Sequence, residues 1–258
     1  MLRFNTISIL VIAALFDFLW IDYFFDIPWW LYLSAPLIWL ILTIIGSFHM
    51  RWNYHLYALH SNPHIDKNEV AITFDDGPHP EFTPKILRLL SKYHAKATFF
   101  CIGQNVEKNP DIIKEIIAQG HVIGNHTFSH TNNFGFLSTG QVIEELQQTN
   151  AVVQKITKQK MNLYRPAFGV TNPNIQRAVK ATGMQTIGWS IRSLDTTKRS
   201  KASILKRITK NISKGDIILL HDTSDKTIAV LEQLLLFLHT EKLKSVTVDQ
   251  LLKFEAYA

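Results

Sequence analysis

Two adjacent carboxylates, Asp75 and Asp76, end the apolar run that begins at Val70, and Gly77-Pro78 follows at once. Further along stand His126 and His130 in Gly-Asn-His-Thr-Phe-Ser-His, Arg165 in Tyr-Arg-Pro-Ala-Phe-Gly, Arg192 and Asp195 in Trp-Ser-Ile-Arg-Ser-Leu-Asp-Thr, and His221-Asp222 after Ile-Ile-Leu-Leu. Crowded carboxylates repel one another and raise one pKa unless a cation intervenes. His126 and His130 are spaced i, i+4, which stacks two imidazoles on one face if the segment is helical. One added carboxylate makes a His-His-Asp set, the three-ligand arrangement of a catalytic metal site with an open position. The other carboxylate is then free to act as a base toward a water, whose pKa falls to roughly 7 on zinc.

Each signal has a bland counterpart. An isolated Asp-Asp is usually a solvated turn, an isolated His-x-x-x-His is usually chance, and His221 behind four aliphatic residues reads equally as a satisfied core histidine. His49, His55, His60, His64, His79, His94, His121 and His239 have no such context and are assigned no chemistry. What favours chemistry for the others is the pattern of elements that carries them.

From Glu69 onward strand-like runs alternate with helical stripes. The runs are 70–74, 97–103, 121–124, 162–164, 186–191 and 216–220. Each is short, apolar and bounded by turn residues. Val142, Ile143, Leu146, Val153 and Ile156 form one helical stripe, Ile204, Leu205, Ile208 and Ile212 a second, and Val230, Leu231, Leu234, Leu235 and Leu238 a third. Asn109-Pro110 and Asn172-Pro173 are expected helix starts, and Gly120 and Gly183 expected stops. Alternation of this kind argues a parallel sheet with helices outside, whose chemistry sits at the C-terminal ends of the strands. The titratable groups above follow those runs. Strand alternation alone sends Asp75 and Asp76 to opposite faces. A strand that stops at Gly77-Pro78 lets both turn toward one point.

The N-terminal part is a different physical object. Residues 29–48 hold no Asp, Glu, Lys, Arg or His, and twenty residues of helix span roughly 30 Å, the hydrocarbon thickness of a bilayer. Tryptophans at both ends suit the membrane interfaces. The preceding apolar run carries Asp17, which costs roughly 2.5–3.5 kcal/mol at mid-bilayer and less toward an interface. No small-x-small cleavage site follows it, so an uncleaved hairpin of two spans is expected rather than a signal peptide. Arg3 and Arg51 flank the hairpin and the loop between holds Asp22 and Asp26, so the charge rule puts both ends in the cytoplasm. The expected division is a membrane anchor over 1–50, a linker over 51–68 and a catalytic domain over 69–258. Residues 1–66 carry two arginines and four aspartates, a net of −2, so a chain of net +6 leaves +8 on the remainder. The single cysteine, Cys101, excludes an internal disulfide framework.

Together, Thr-Phe-Asp-Asp-Gly-Pro, His-Thr-Phe-Ser-His, Arg-Pro-Ala-Phe-Gly and Leu-Leu-His-Asp resemble the motifs of the polysaccharide deacetylase (NodB-homology) family, carbohydrate esterase family 4, over about residues 69–250. The resemblance implies a distorted (β/α) barrel of about seven strands. It implies a divalent metal, zinc in many members, and removal of N-acetyl groups from amino sugars. By motif, Asp75 resembles the catalytic base, and Asp76, His126 and His130 the metal ligands. Arg165 resembles the arginine that holds the base, and His221 the general acid. Phe168, whose N–H matches the oxyanion donor, Pro166 and Leu219 resemble the substrate-binding wall. The fourth motif departs: Arg192 stands where the family has an aspartate that tunes the acid histidine. Asp195 is expected to turn back toward His221 at the bend that Ser193 suggests and take that role, leaving Arg192 to pair with another acid or a substrate anion; the alternative is that Asp195 only caps the loop before Thr196-Thr197. The partners expected are an amino-sugar glycan or glycan precursor and, through the N-terminal helices, membrane lipid; nucleic acid is not expected. Two further readings stay open, a deacylase or deformylase of a lipid-linked sugar at the cytoplasmic membrane face, and a non-catalytic sugar- or metal-binding member of the fold.

Overall fold

A computed structural model describes residues 3–258. Two helices lead, α1 (Phe4–Phe25) and α2 (Trp30–Phe48). Both are long and apolar enough to cross a membrane, with 6% and 11% of their apolar windows buried. Ile9, Phe16, Leu33 and Ile41 stay exposed, so these are not the core helices of a soluble domain. They form a hairpin in which Trp39 Nε1 donates to Ser8 Oγ at 2.9 Å.

The rest is a curled parallel sheet with helices on its outer face. The chain runs β1 (Glu69–Asp75), α3 (Phe82–Lys92), β2 (Ala97–Cys101), α4 (Gly103–Lys108), α5 (Pro110–Ala118), β3 (Val122–Asn125) and α6 (Thr139–Thr157). It continues through β4 (Leu163–Tyr164), α7 (Pro173–Thr182), β5 (Gln185–Thr186), β6 (Ile191–Arg192) and α8 (Lys201–Thr209). It closes with β7 (Ile217–His221), α9 (Asp225–Thr240), β8 (Lys244–Val246) and α10 (Val248–Leu252). The strand order is β5-β4-β3-β2-β1-β7-β6, and β8 pairs with the start of β1. Every pairing between named strands is parallel. The distorted (β/α) barrel of about seven strands that was expected is present as a curled half-barrel.

The two-residue period of a strand sorts side chains by face. Val70, Ile72 and Phe74 of β1 and Ile218 and Leu220 of β7 join the main core beneath the helices. Ala71 and Ile217 face the inner cluster. Continuing that alternation brings Asp75 and His221, paired in register, to the rim of the inner face. β1 lies in the interior of the sheet, paired with β2, β7 and β8, and every residue of it after Glu69 is buried.

The expected strand over 186–191 is two short strands at opposite edges of the sheet, β5 and β6. Between them Ile187 and Gly188 cross the open side of the barrel. Their carbonyls do not feed a ladder because the Arg165 guanidinium takes them, Nε to Ile187 O at 3.2 Å and a terminal nitrogen to Gly188 O at 2.8 Å. The segment expected as a linker is laid along this same opening. Leu59 bridges to Ile187 and Ser61 to Asp216, and Leu56, Ala58 and Ile65 are buried. The end of α2 reaches the domain here too, where Ser47 O accepts from Thr171 N at 2.9 Å.

Candidate active site

β1 delivers Asp75 as its last residue, and the chain then breaks from strand geometry. Asp76 has φ +76°, a left-handed conformation that costs a non-glycine residue roughly 1–2 kcal/mol. That reversal turns the second carboxylate back over the inner face beside the first. Gly77 permits it, because a Cβ there would collide with the Asp222 carboxylate. Thr127 (φ +68°), His130 (+49°), Phe168 (+58°) and Leu194 (+62°) share the left-handed region. Strain of this kind gathers where surrounding structure over-determines a functional geometry.

His126 and His130 follow β3 in a loop rather than the helical turn the spacing suggested. Their rings still lie 4.9 Å apart, because the loop is anchored twice. Asn125 Oδ1 accepts from Thr127 N at 2.9 Å. Glu145 on α6 accepts from Phe128 N and Ser129 N, both at 2.8 Å, and from Ser129 Oγ at 2.7 Å. Asp76 Oδ1 lies 3.4 Å from His126 Nε2 and 3.5 Å from His130 Nε2. One atom from each of the three residues falls within 4.8 Å of the others.

A divalent cation fits this donor set. His126 Nδ1 is hydrogen-bonded to Arg165 O at 2.8 Å, which fixes the ring and directs Nε2 inward as a ligand-bearing histidine requires. His130 Nε2 is buried without a hydrogen-bond partner. Burial and the neighbouring His126 push the His130 pKa down to about 4, against the pull of the carboxylates, so its lone pair is available at neutral pH. Asp76 is pushed down to about 2, its burial being outweighed by the hydrogen bond and charge of His126.

Asp75 is held differently. Its Oδ1 accepts from Arg165 at 2.7 Å, and the same nitrogen donates to Thr73 Oγ1 at 2.7 Å. Arg165 is fully buried, with its guanidinium 4.0 Å over the Phe100 ring. Asp75 Oδ2 faces the cluster, 3.9 Å from His126 Nε2. A buried, multiply bonded arginine and a carboxylate with one free oxygen make an oriented base.

Across β1, His221 ends β7. Its Nδ1 meets Asp195 Oδ1 at 2.8 Å, and its backbone N–H donates to Asp195 Oδ2 at 2.9 Å. Asp195 is itself buried and accepts from Ser193 Oγ and Thr227 Oγ1, each at 2.8 Å. Burial opposes a charge on His221, but the Asp195 hydrogen bond and charge overcome it and raise the pKa to about 9. Arg192 is exposed on β6 and stays away from this pair, its guanidinium 5.7 Å from the Trp189 ring. The expected turn at Ser193 is present: Leu194 is left-handed and Ser193 Oγ accepts from Asp195 N at 3.3 Å.

Leu219 lies buried on β7, paired in register with Thr73 of β1. Pro166 is buried and accepts from Gly169 N at 3.0 Å. Phe168 is half-exposed, its ring 4.5 Å from His130. Thr73, Glu145 and Thr227 were not singled out in the sequence. Only Thr73, a polar residue inside an apolar strand, carried a signal.

A half-barrel with these groups on the rim of its inner face defines a hydrolase class. The sequence profile described as Polysaccharide deacetylase matches residues 63–187. A peptidoglycan-N-acetylglucosamine deacetylase of Bacillus cereus is 37% identical over 199 residues, 74% of this chain and 92% of that protein. Other curated relatives are longer, the chain covering 60% of one and 38% of another. The solved structure of a peptidoglycan N-acetylglucosamine deacetylase superposes with TM-score 0.73 at 32% identity, over 77% of this chain and 94% of that one. A CE4 family pseudoenzyme from Bacillus anthracis superposes with TM-score 0.69 at 28% identity, over 76% of this chain and 68% of that one. The chain belongs to the polysaccharide deacetylase family, carbohydrate esterase family 4. Asp195 and His221 lie beyond the matched residues.

Proposed function

We propose that this chain is a metal-dependent hydrolase that removes an N-acyl group, N-acetyl first of all, from an amino sugar of a glycan. One observation carries the reading: the Arg165–Asp75 pair, the Asp76–His126–His130 set and the Asp195–His221 pair converge on one rim from strands β1, β3 and β7. The name of the B. cereus relative supports an N-acetylglucosamine substrate.

Asp76, His126 and His130 would hold the cation. When bound, such an ion polarises an amide carbonyl and lowers the pKa of a water at neutral pH. The chain's own residues do the rest. Asp75 takes the proton of the attacking water on its free Oδ2, while Arg165 keeps the carboxylate aimed. His221 donates a proton from Nε2 to the departing amine, since Nδ1 is committed to Asp195; without that proton the amine does not leave. Phe168 and Pro166 line the approach beside His130, and Leu219 offers an apolar wall for the acyl methyl. Asp195 replaces the missing aspartate of the fourth motif by position in space. The pseudoenzyme among the structural relatives makes a non-catalytic role the rival reading; the paired base and acid here count against it.

The two apolar helices support a membrane anchor, and the contact between Ser47 and Thr171 puts the Pro166–Val170 loop near the end of α2. The charge count at Arg3, Arg51, Asp22 and Asp26 supports a cytoplasmic domain and hence a glycan precursor or lipid-linked sugar. The relatives' names support a polymer outside. Acetate release from N-acetylglucosamine oligomers, peptidoglycan fragments and lipid-linked precursor, by the full chain in detergent and by Asp75→Asn, tests the reaction. Activity on at least one amide substrate that Asp75→Asn lacks is expected; no release from any of them overturns the reading.

A further inference from the structure

Arg192, expected to pair with another acid or a substrate anion, stands in the wall of a cleft. The cleft has a volume of about 620 Å³. Six cationic side chains line it, Arg51, Arg192, Arg199, Lys206, Arg207 and Lys210, against the single acid Asp216. They come from separate elements: Arg51 follows α2 by three residues, Arg192 is on β6, Arg199 precedes α8, and Lys206, Arg207 and Lys210 belong to α8 and its end. No residue of the catalytic cluster lines the cleft.

These charges are uncompensated. Among the described residues none of the six lies within ion-pair distance of a carboxylate. Asp216 is turned to Ser213, accepting from its backbone N–H at 2.8 Å and its Oγ at 3.2 Å. Six cations less one acid leave +5 in a cleft of a chain whose whole net charge is +6. Lysines along one exposed helix face are ordinarily just solvated. Here the strand and the segment after α2 contribute guanidinium groups facing the same hollow, so like charges from three directions are held together at a repulsive cost. The architecture fixes that arrangement: Arg207 Nε donates to Arg192 O at 2.7 Å, clamping α8 to β6. Guanidinium and ammonium groups around a concavity match the geometry of phosphate oxygens. Arg51 also puts one wall of the cleft beside the end of an apolar helix, where a membrane surface would lie.

We propose that this cleft is a binding site for phosphate or diphosphate esters at the membrane surface, with Arg192 as its strand-borne anchor. The chemistry is shared by two sources, the headgroup of an anionic phospholipid and the phosphate of a membrane-carried glycan. The proposal stands apart from the deacetylase reading, since it involves none of that site's residues.

The test uses the full chain in phosphatidylcholine nanodiscs, with inorganic pyrophosphate as probe, read by calorimetry and phosphorus NMR line width. Saturable one-to-one binding is expected. Replacing three cleft cations (Arg192→Gln, Lys206→Gln, Lys210→Gln) should weaken it at least about tenfold, since juxtamembrane cations contribute on the order of 1 kcal/mol each. The matched triple Lys158→Gln, Lys160→Gln, Lys180→Gln, exposed elsewhere, should leave it within about twofold, the scale of a screened surface charge. The double variant Arg199→Gln, Lys206→Gln, at positions outside any helix-sheet packing, should show a smaller loss in the same direction. Nanodiscs containing phosphatidylglycerol separate the sources: displacement of pyrophosphate assigns a lipid headgroup, and undiminished binding assigns a glycan phosphate. No pyrophosphate binding by the wild type, or equal losses in the two triples, overturns the proposal.

Discussion

Asp195→Asn isolates the charge that makes His221 an acid. Raising a histidine from its ordinary 6.5 to about 9 corresponds to about 3 kcal/mol of preferential stabilisation of the imidazolium. Asparagine preserves the size and an acceptor oxygen but removes the charge. Burial, the largest influence on His221, then acts with less opposition and takes the pKa to 6.5 or below. The sign follows from the requirement for a protonated acid: activity is present below the His221 pKa and lost above it. The alkaline limb of kcat/KM should therefore lie near pH 9 in wild type and move down by two pH units or more in the variant. At pH 8 the protonated fraction falls from ~90% to ~3% or less, so kcat/KM should drop at least ~30-fold, with the deficit shrinking as pH is lowered. Stability follows the same linkage. With a folded-state pKa raised above the unfolded one, His221 stabilises the wild type fully below pH 6.5, and that contribution is lost as pH rises through about 9. NMR titration of the His221 ring separates this from misfolding. A wild-type limb near 6.5, or an unchanged profile in Asp195→Asn, would refute the tuning argument.

Three further outcomes follow from the same geometry. Glu145→Gln should weaken metal affinity 10–100-fold, measured by chelator competition, because one amide oxygen cannot replace the two carboxylate oxygens that hold the His126–His130 loop; unchanged affinity contradicts that loop's dependence on α6. Gly77→Ala should cost about 1–3 kcal/mol, seen as a lowered Tm, since the new methyl meets the Asp222 carboxylate; a wild-type Tm contradicts it. Protease added to sealed spheroplasts should leave the domain uncut if Arg3 and Arg51 face the cytoplasm; rapid digestion puts the domain outside and the polymer within reach.

The strand ends carried most of the legible information. Asp75, His126, Arg165 and His221 each follow a short apolar run, and the parallel sheet gathers such ends on one rim. The spacing of His126 and His130 suggested a helix because i, i+4 is a helical signal; Glu145, a helix residue distant in sequence, shapes the loop instead. Residues 186–191 read as one strand because β-branched and aromatic residues, Thr186, Ile187, Trp189 and Ile191, dominate the run. They divide because the buried Arg165 guanidinium claims the carbonyls of Ile187 and Gly188, a demand invisible from the run itself. β8 went unread because Lys244-Ser-Val246 is too short to display a period. The cleft around Arg192 was hidden for another reason: its cations lie on separate segments from Arg51 to Lys210, and only folding adds their charges together.

The most direct test pairs metal content with acetate release for Asp75→Asn and Asp76→Asn, prepared as the full chain alongside wild type. Wild type should hold one divalent ion and be active. Asp75→Asn should hold an ion without activity, because the Arg165-held base is lost while the Asp76–His126–His130 set remains. Asp76→Asn should lose both. Retention of the ion by Asp76→Asn with its loss from Asp75→Asn would contradict the division of roles between the two carboxylates.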